Sequence, residues 1–189
     1  HLIYLPEGEF SPEKYLSDVK QAQLRYKAVI VAVSEGVSAG SGVSSEIVDA
    51  FGHKYLSGIG KWLEEYTKEH IGCKVRSIEL NVMQRCSSHI ASQTDLLEAE
   101  RIGREAVKSA LIYGASGVMM AFHRLSNNPY RVEITTADIT KVANQEKKFP
   151  REWINQEGNN VTVDALNYFL PLIQGEPKLE YRNGIPIHF

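Results

Sequence analysis

The chain has 189 residues, 43% of them hydrophobic, and a formal net charge of −2, so it can bury one sizeable core or two small ones and offers no basic face to a nucleic acid. Its longest apolar run, Ala28 to Val33, is too short to cross a bilayer, and no signal-peptide pattern opens the chain. Two cysteines, Cys73 and Cys86, exclude a disulfide framework, so a reducing cytoplasm without membrane partners is the expected setting.

The sequence opens at His1 with neither an initiator Met nor a polar lead-in, which reads as a cut through a longer protein. Leu2 to Leu5 predicts a short strand. Ser11 then caps a helix that has Pro12 at its first position and Glu13 at the positive end of its dipole. Tyr15, Leu16, Val19, Ala22 and Tyr26 recur at helical spacing and predict one buried face. Ala28 to Val33 lacks alternation, as in a strand covered on both faces of a parallel sheet. A Ser/Gly-rich loop from Val37 to Ser45 follows. The next helix is expected from Glu46 to His70, with breaks near Gly52 or Gly58, an apolar stripe of Tyr55, Ile59, Trp62, Leu63 and Tyr66, and a stop at Gly72. Lys74 to Met83 reads as a second strand, neighbouring the first in the sheet. Thr94 to Tyr113 reads as a helix whose stripe of Leu96, Ala99, Gly103, Ala106 and Ala110 invites close packing. Val118 to Phe122 and Tyr130 to Ile134 suggest a hairpin around Asn127-Asn128-Pro129. A helix from Val161 to Ile173, closed by Gly175, completes the chain. The alternation of strands and helices predicts a three-layer, Rossmann-like α/β fold with a parallel-sheet core and flanking helices.

In such sheets ligands bind beyond the carboxyl ends of the strands. Glu35 and the pair Gln84-Arg85 occupy those positions, and a carboxylate with a guanidinium suits a phosphorylated sugar. The rival meaning of each is a solvated surface charge. Gly36-Val37-Ser38-Ala39-Gly40 also matches a nucleophile elbow, which would make Ser38 the nucleophile of a hydrolase with Asp95 or Asp138 and His123 or His188. The glycines and serines continuing to Ser45 argue against it, because an elbow serine starts a helix at once. The loop is neither a Walker A sequence nor a dinucleotide fingerprint. Cys86 and His89 have C-x-x-H spacing without a second ligand pair, and Trp62 with Tyr66 reads as core.

Five stretches together resemble the phosphofructokinase family, most nearly its long, diphosphate-dependent bacterial branch. They are Val31-Ala32-Val33-Ser34-Glu35-Gly36; Asp49-Ala50-Phe51-Gly52-His53; Arg76 with Glu79 through Cys86; Val142-Ala143-Asn144 with Glu146-Lys147; and Pro171 through Glu176. The resemblance covers almost the whole chain and implies a phosphofructokinase-like fold seen in its C-terminal part. It implies that Glu35 binds hydroxyls of fructose 6-phosphate, that Arg85 binds its phosphate, and that Arg76 reaches the phosphate in a neighbouring subunit of a homodimer or higher homo-oligomer. Relatives carry His or Tyr where this chain has Val82; either that contact is lost or a residue such as His89 supplies it.

The family's G-G-D-G donor loop, T-I-D-N-D-like stretch and M-G-R motif are absent from the sequence. The expected chain is therefore part of a 6-phosphofructokinase using diphosphate or ATP, with no catalytic residue or metal ligand of its own and no activity alone. Mg²⁺ is expected to be bound by the missing part. On the family pattern, residues 1–84 form the sugar-phosphate-binding domain, residues 85–140 pack on the donor domain, and residues 141–189 form a C-terminal helical extension. A non-catalytic sugar-phosphate-binding module and the Ser38 hydrolase are the alternatives.

Overall fold

The computed structural model describes residues 1–39 and 58–187. Gly40, the Asp49–His53 motif, the predicted helix before Gly58 and His188 lie outside the described residues. The chain divides into two compact units, His1–Leu80 with Lys148–Ala165, and Asn81–Lys147 with Leu166–Phe189.

In the first unit, β1 (Leu2–Tyr4) leads into α1 (Pro12–Gln23), which returns the chain to β2 (Val31–Val33). The strands pair in parallel, Leu2 opposite Val31 and Tyr4 opposite Val33. Parallel pairing requires a crossover, and α1 provides it. Ser11 caps α1 as predicted, its hydroxyl accepting from the Lys14 amide at 3.3 Å, with Pro12 in the first turn. Tyr15, Val19 and Ala22 are buried, whereas Tyr26 is exposed.

α2 (Ile59–Ile71) starts after Gly58 and stops at Gly72, both in the left-handed conformation. Its Ile59 and Leu63 join Leu2, Tyr4, Tyr15, Val19, Ala22 and Val37 in the core, with Trp62 and Tyr66 packed against that cluster. Tyr15 and Thr67 share a buried polar contact beside it, at 2.8 Å. The Thr67 hydroxyl proton goes to the Leu63 carbonyl at 2.6 Å, so Tyr15 is the donor to Thr67. Tyr4 donates to the Asp18 carboxylate at 2.9 Å; burial first, then that carboxylate, pushes its phenol far above the ordinary range. On the outer side of β1, the Ile3 amide donates to the Asn159 carbonyl at 2.8 Å. Asn159 belongs to a loop organised by Asn155, whose side-chain oxygen accepts from the amides of Asn159 and Asn160.

The expected strand from Lys74 to Met83 does not form. Residues 72–81 have no strand partner among the described residues, and Val82 already begins a helical turn. Ile78 and Leu80 are 81% and 73% exposed, so the apolar alternation has no covered face to bury. The Ala28–Val33 run is also shorter than expected as a strand: Ile30 and Ala32 are exposed, and the pair is not covered on both faces here.

The second unit contains α3 (Val82–Arg85), α4 (Gln93–Leu111) and a hairpin of β3 (Val118–Asn127) with β4 (Tyr130–Asp138). The hairpin is antiparallel and longer than the sequence suggested, with an irregularity between Arg124 and Ser126. α5 (Ile139–Val142) follows, then α6 (Val163–Phe169), which straddles the two units and runs into a 3₁₀ turn, Leu170–Ile173. β5 (Tyr181–Arg182) and β6 (Ile185–Pro186) close the chain in a small hairpin around Asn183-Gly184.

Arg124 lies between the Tyr130 and Tyr168 rings, 4.4 and 4.3 Å from their centroids. It also donates to Asn127 at 2.8 Å and to the Tyr168 carbonyl. Tyr130 donates to Glu98, and burial together with that carboxylate pushes its phenol up to about 12. At the start of α4, Gln93 and Thr94 donate to the carbonyls of Gly175 and Gln174. Gly175 has φ +78°, and a Cβ there would come within 2.7 Å of Gln93 Cβ, so the seat accepts only glycine. The small-residue stripe of α4 is exposed from Leu96 through Ala110, and nothing among the described residues packs closely on it.

Tyr15→Phe is expected to destabilise the chain by about 1 kcal/mol, the net value of one buried hydrogen bond. Thr67→Val is expected to lose more, because it strands the Tyr15 hydroxyl in the core. Urea unfolding of the two variants checks the order.

Candidate functional site

The carboxyl edge of the β1–β2 pair is where a parallel sheet presents its ligand-binding loops. The Ser34 amide closes the end of the pair on the Tyr4 carbonyl at 3.0 Å, and the Val37 amide folds back on the Ser34 carbonyl at 3.0 Å. That turn leaves Glu35 exposed at the edge while Val37 anchors it in the core. Beside it, the Gly8 amide bonds the Leu5 carbonyl, making a second turn that carries Pro6 and Glu7. A Cβ at Gly36 would lie 3.2 Å from Pro6 Cγ, so any larger residue at 36 would press the first turn against the second. Glu7 was not evident from the sequence. One of its oxygens accepts from the Phe149 amide at 2.9 Å, and the other is buried without a hydrogen-bond partner among the described residues. The only sequence signal for it is a Pro-Glu pair directly after an apolar strand.

Arg76 lies in the same unit as Glu35, exposed on the irregular run that follows α2. The neighbouring Ser77 is held by Glu64 of α2: its amide donates at 2.9 Å and its hydroxyl at 2.6 Å to one carboxylate oxygen. Lys68 donates to the other oxygen, and Lys61 lies 3.5 Å from it. The Lys68 hydrogen bond, then those from Ser77, hold the Glu64 carboxyl far below the usual carboxylate range. Sequence periodicity places Glu64 on α2 but gives no hint of what it grips.

Arg85 and His89 belong to the second unit, Arg85 as the last residue of α3 and His89 in the 3₁₀ turn Ser88–Ile90. Arg85 therefore stands on a helical turn, not past the end of a strand as the sequence suggested. Both side chains are exposed. No hydrogen bond or ion pair among the described residues engages the side chain of Arg76 or Arg85. Two hydrated, uncommitted guanidinium groups retain the two-pronged geometry that suits a phosphate.

The hydrolase alternative finds no support among the described partners. Asp138 caps α5, accepting from the amide and hydroxyl of Thr140 at 2.9 and 2.6 Å, which lowers its carboxyl. His123 sits across the hairpin from Glu133, at 3.8 Å. Asp95 lies in the first turn of α4. No group of three or more His, Cys, Asp or Glu among the described residues is placed to hold a metal ion. No helix among them is long and apolar enough to cross a membrane.

The phosphofructokinase family model matches residues 1–110. The chain is 38% identical over 188 residues to the pyrophosphate–fructose 6-phosphate 1-phosphotransferase of Methylococcus capsulatus, covering 98% of this chain and 44% of that one. The enzyme of the same name from Xanthomonas campestris is 36% identical, with 98% and 45% covered. The crystal structure of the pyrophosphate-dependent phosphofructokinase from Nitrosospira multiformis matches with a TM-score of 0.83 at 31% identity, over 98% of this chain and 43% of that one. The chain thus spans less than half the length of these relatives.

Two outcomes follow from the site's geometry. Gly36→Ala is expected to destabilise the chain by about 1 kcal/mol through the forced contact with Pro6, and Pro6→Ala in the same chain should recover part of that loss. Chemical denaturation of the single and double variants measures both. Glu64→Gln should lower stability at pH 7. Because the folded carboxyl lies below its unfolded value, Glu64 contributes fully above the ordinary carboxylate pKa, and its contribution fades as pH falls below that value. The gap between wild type and Glu64→Gln in urea midpoint should therefore be wide at pH 7 and narrower at pH 3.

Proposed function

Because the chain belongs to the phosphofructokinase family, with the fold of its pyrophosphate-dependent members, we propose that it is the C-terminal, fructose 6-phosphate-binding part of a long-type diphosphate-dependent enzyme. The observation that carries this reading is Glu35, exposed at the carboxyl edge of a parallel pair, in a chain that also presents two uncommitted arginines. The Glu35 carboxylate accepts hydrogen bonds from sugar hydroxyls. Arg85 grips the 6-phosphate through parallel N–H donors, and Arg76 adds its charge from a neighbouring subunit. His89, on the turn after Arg85, is the candidate for the contact that Val82 cannot make.

The reaction transfers a phosphoryl group from diphosphate to the 1-hydroxyl of fructose 6-phosphate. The hydroxyl oxygen forms the new P–O bond, inorganic phosphate leaves with the electrons of the old one, and a base accepts the hydroxyl proton. Such transfer depends on alignment and on neutralising charge around the moving group. Mg²⁺ would neutralise the donor phosphates when bound, and the described residues include no ligand cluster for it. The donor cradle, base and M-G-R motifs are likewise absent from this sequence. The chain's own part is acceptor binding and orientation, without turnover by itself. Residues 1–84 supply sugar binding, residues 85–140 pack on the donor domain, and residues 141–189 extend the C-terminus. The exposed small-residue stripe of α4 supports that packing role. The whole enzyme works as a homodimer or higher homo-oligomer in the cytoplasm.

In the full-length enzyme, Arg85→Ala is expected to raise the KM for fructose 6-phosphate roughly tenfold to a hundredfold and leave the diphosphate KM near its wild-type value. This corresponds to losing charge-assisted hydrogen bonds on the order of 1.5–3 kcal/mol. Arg85→Lys should also impair sugar use, since a point charge cannot reproduce the planar grip. Steady-state kinetics with each substrate varied at saturating partner decides; an unchanged sugar KM in Arg85→Ala removes Arg85 from the site.

A further inference from the structure

We propose that Glu64 is a positioning residue for Arg76, setting through Ser77 where that guanidinium is presented to a phosphate; the inference rests on the role given to Arg76 above. Cys73 through Leu80 have no regular secondary structure and no backbone–backbone hydrogen bond among the described residues. Arg76 stands in the middle of that run, exposed, and no hydrogen bond or ion pair among the described residues holds its side chain. A charge on such a segment would sample many positions, and a binding site gains little from a group it must first order.

Among the described residues the segment is anchored at the residue next to Arg76. Ser77 gives both its amide and its hydroxyl to the same Glu64 oxygen, at 2.9 and 2.6 Å. Glu64 is itself firmly placed. Its side chain is only 11% exposed, and it lies on α2 one residue after the buried Leu63. Lys68 and Lys61 hold its second oxygen from the same helix. α2 thereby transmits the rigidity of the core to Ser77, and from Ser77 to Arg76 across one peptide unit. Gly60 of the same helix lies close by: a Cβ built on it would be 3.7 Å from Ser77 Cβ, ordinary van der Waals distance.

A clamp and a mere helix-surface ion pair make different demands on Lys68. If Glu64 acts only by pairing within α2, removing Lys68 should do what removing the Glu64 charge does. If it acts by holding Ser77, Lys68 is dispensable, because both Ser77 bonds survive.

The test uses the full-length enzyme with Arg76→Ala, Glu64→Gln, Ser77→Ala and Lys68→Met, reading the KM for fructose 6-phosphate and for diphosphate, and hydrogen exchange at the Ser77 amide. Glu64→Gln is expected to raise the sugar KM about tenfold, leave the diphosphate KM unchanged and speed exchange at Ser77. Ser77→Ala should move the sugar KM in the same direction by less, since its amide bond remains, and Lys68→Met should leave every readout at wild type. Should Glu64→Gln fail to fold, Ser77→Ala decides. A raised sugar KM in Arg76→Ala with none in Glu64→Gln or Ser77→Ala overturns the positioning role and leaves Arg76 in the site. An equal effect of Lys68→Met and Glu64→Gln also overturns it. An unchanged sugar KM in Arg76→Ala removes Arg76 from the site, and the inference with it.

Discussion

The parallel register of Leu2–Tyr4 with Val31–Val33 is the constraint from which the first unit follows. Two strands running the same way must be joined by a crossover, so α1 has to form and has to bury one face. Tyr15, Val19 and Ala22 are that face, and they complete a cluster with Tyr4 and Leu63. The same register brings both carboxyl ends to one edge. Pro6 and Glu7 leave β1 there, Ser34 and Glu35 leave β2 there, and Gly36 lets the two turns touch. An exposed acid at that edge is thus a consequence of strand direction before it is a matter of side-chain chemistry.

The two units are held together internally in different ways. All the buried hydrophobic side chains among the described residues belong to the first unit, from Leu2 through Ala165. The second unit has none and relies on directional contacts: the hairpin ladder, Arg124 between two tyrosines, and the bonds from the start of α4 to Gln174 and Gly175. Hydrogen bonds and cation–π contacts fix geometry but contribute modestly to net stability in water. Leu111, Ile112 and Tyr113 at the end of α4 are left 80%, 69% and 75% exposed. Apolar surface on that scale is characteristic of a face that another polypeptide covers.

The two arginines illustrate how differently one residue type can be held. Arg85 ends a short helical turn whose own backbone bonds, from Arg85 to Asn81 and from Cys86 to Val82, set its direction. Arg76 has no such local support and takes its position from Glu64 through Ser77. A carboxylate given two donors by one serine and further cations by its own helix stays ionised well into acid, so that support persists wherever the core is folded.

Local signals in the sequence determined a good deal by themselves. Ser11-Pro12-Glu13 set the start of α1 and Gly72 the end of α2, because caps and left-handed stops are properties of a few adjacent residues. The strand-end position of Glu35 was legible for the same reason, as was the family through its short motifs. Pairing was not legible. Lys74 to Met83 reads like a strand, but strand formation needs a neighbour to accept its hydrogen bonds and a face to cover Ile78 and Leu80, and the described residues place neither beside it. The stripe of α4 read as a close-packing face in the same way: periodicity states which face could pack, and only the surrounding protein decides what lies against it. The grip of Glu64 on Ser77 and the orphaned oxygen of Glu7 likewise exist only in three dimensions. Each depends on a contact between residues that the sequence keeps far apart and that the core brings within hydrogen-bond reach.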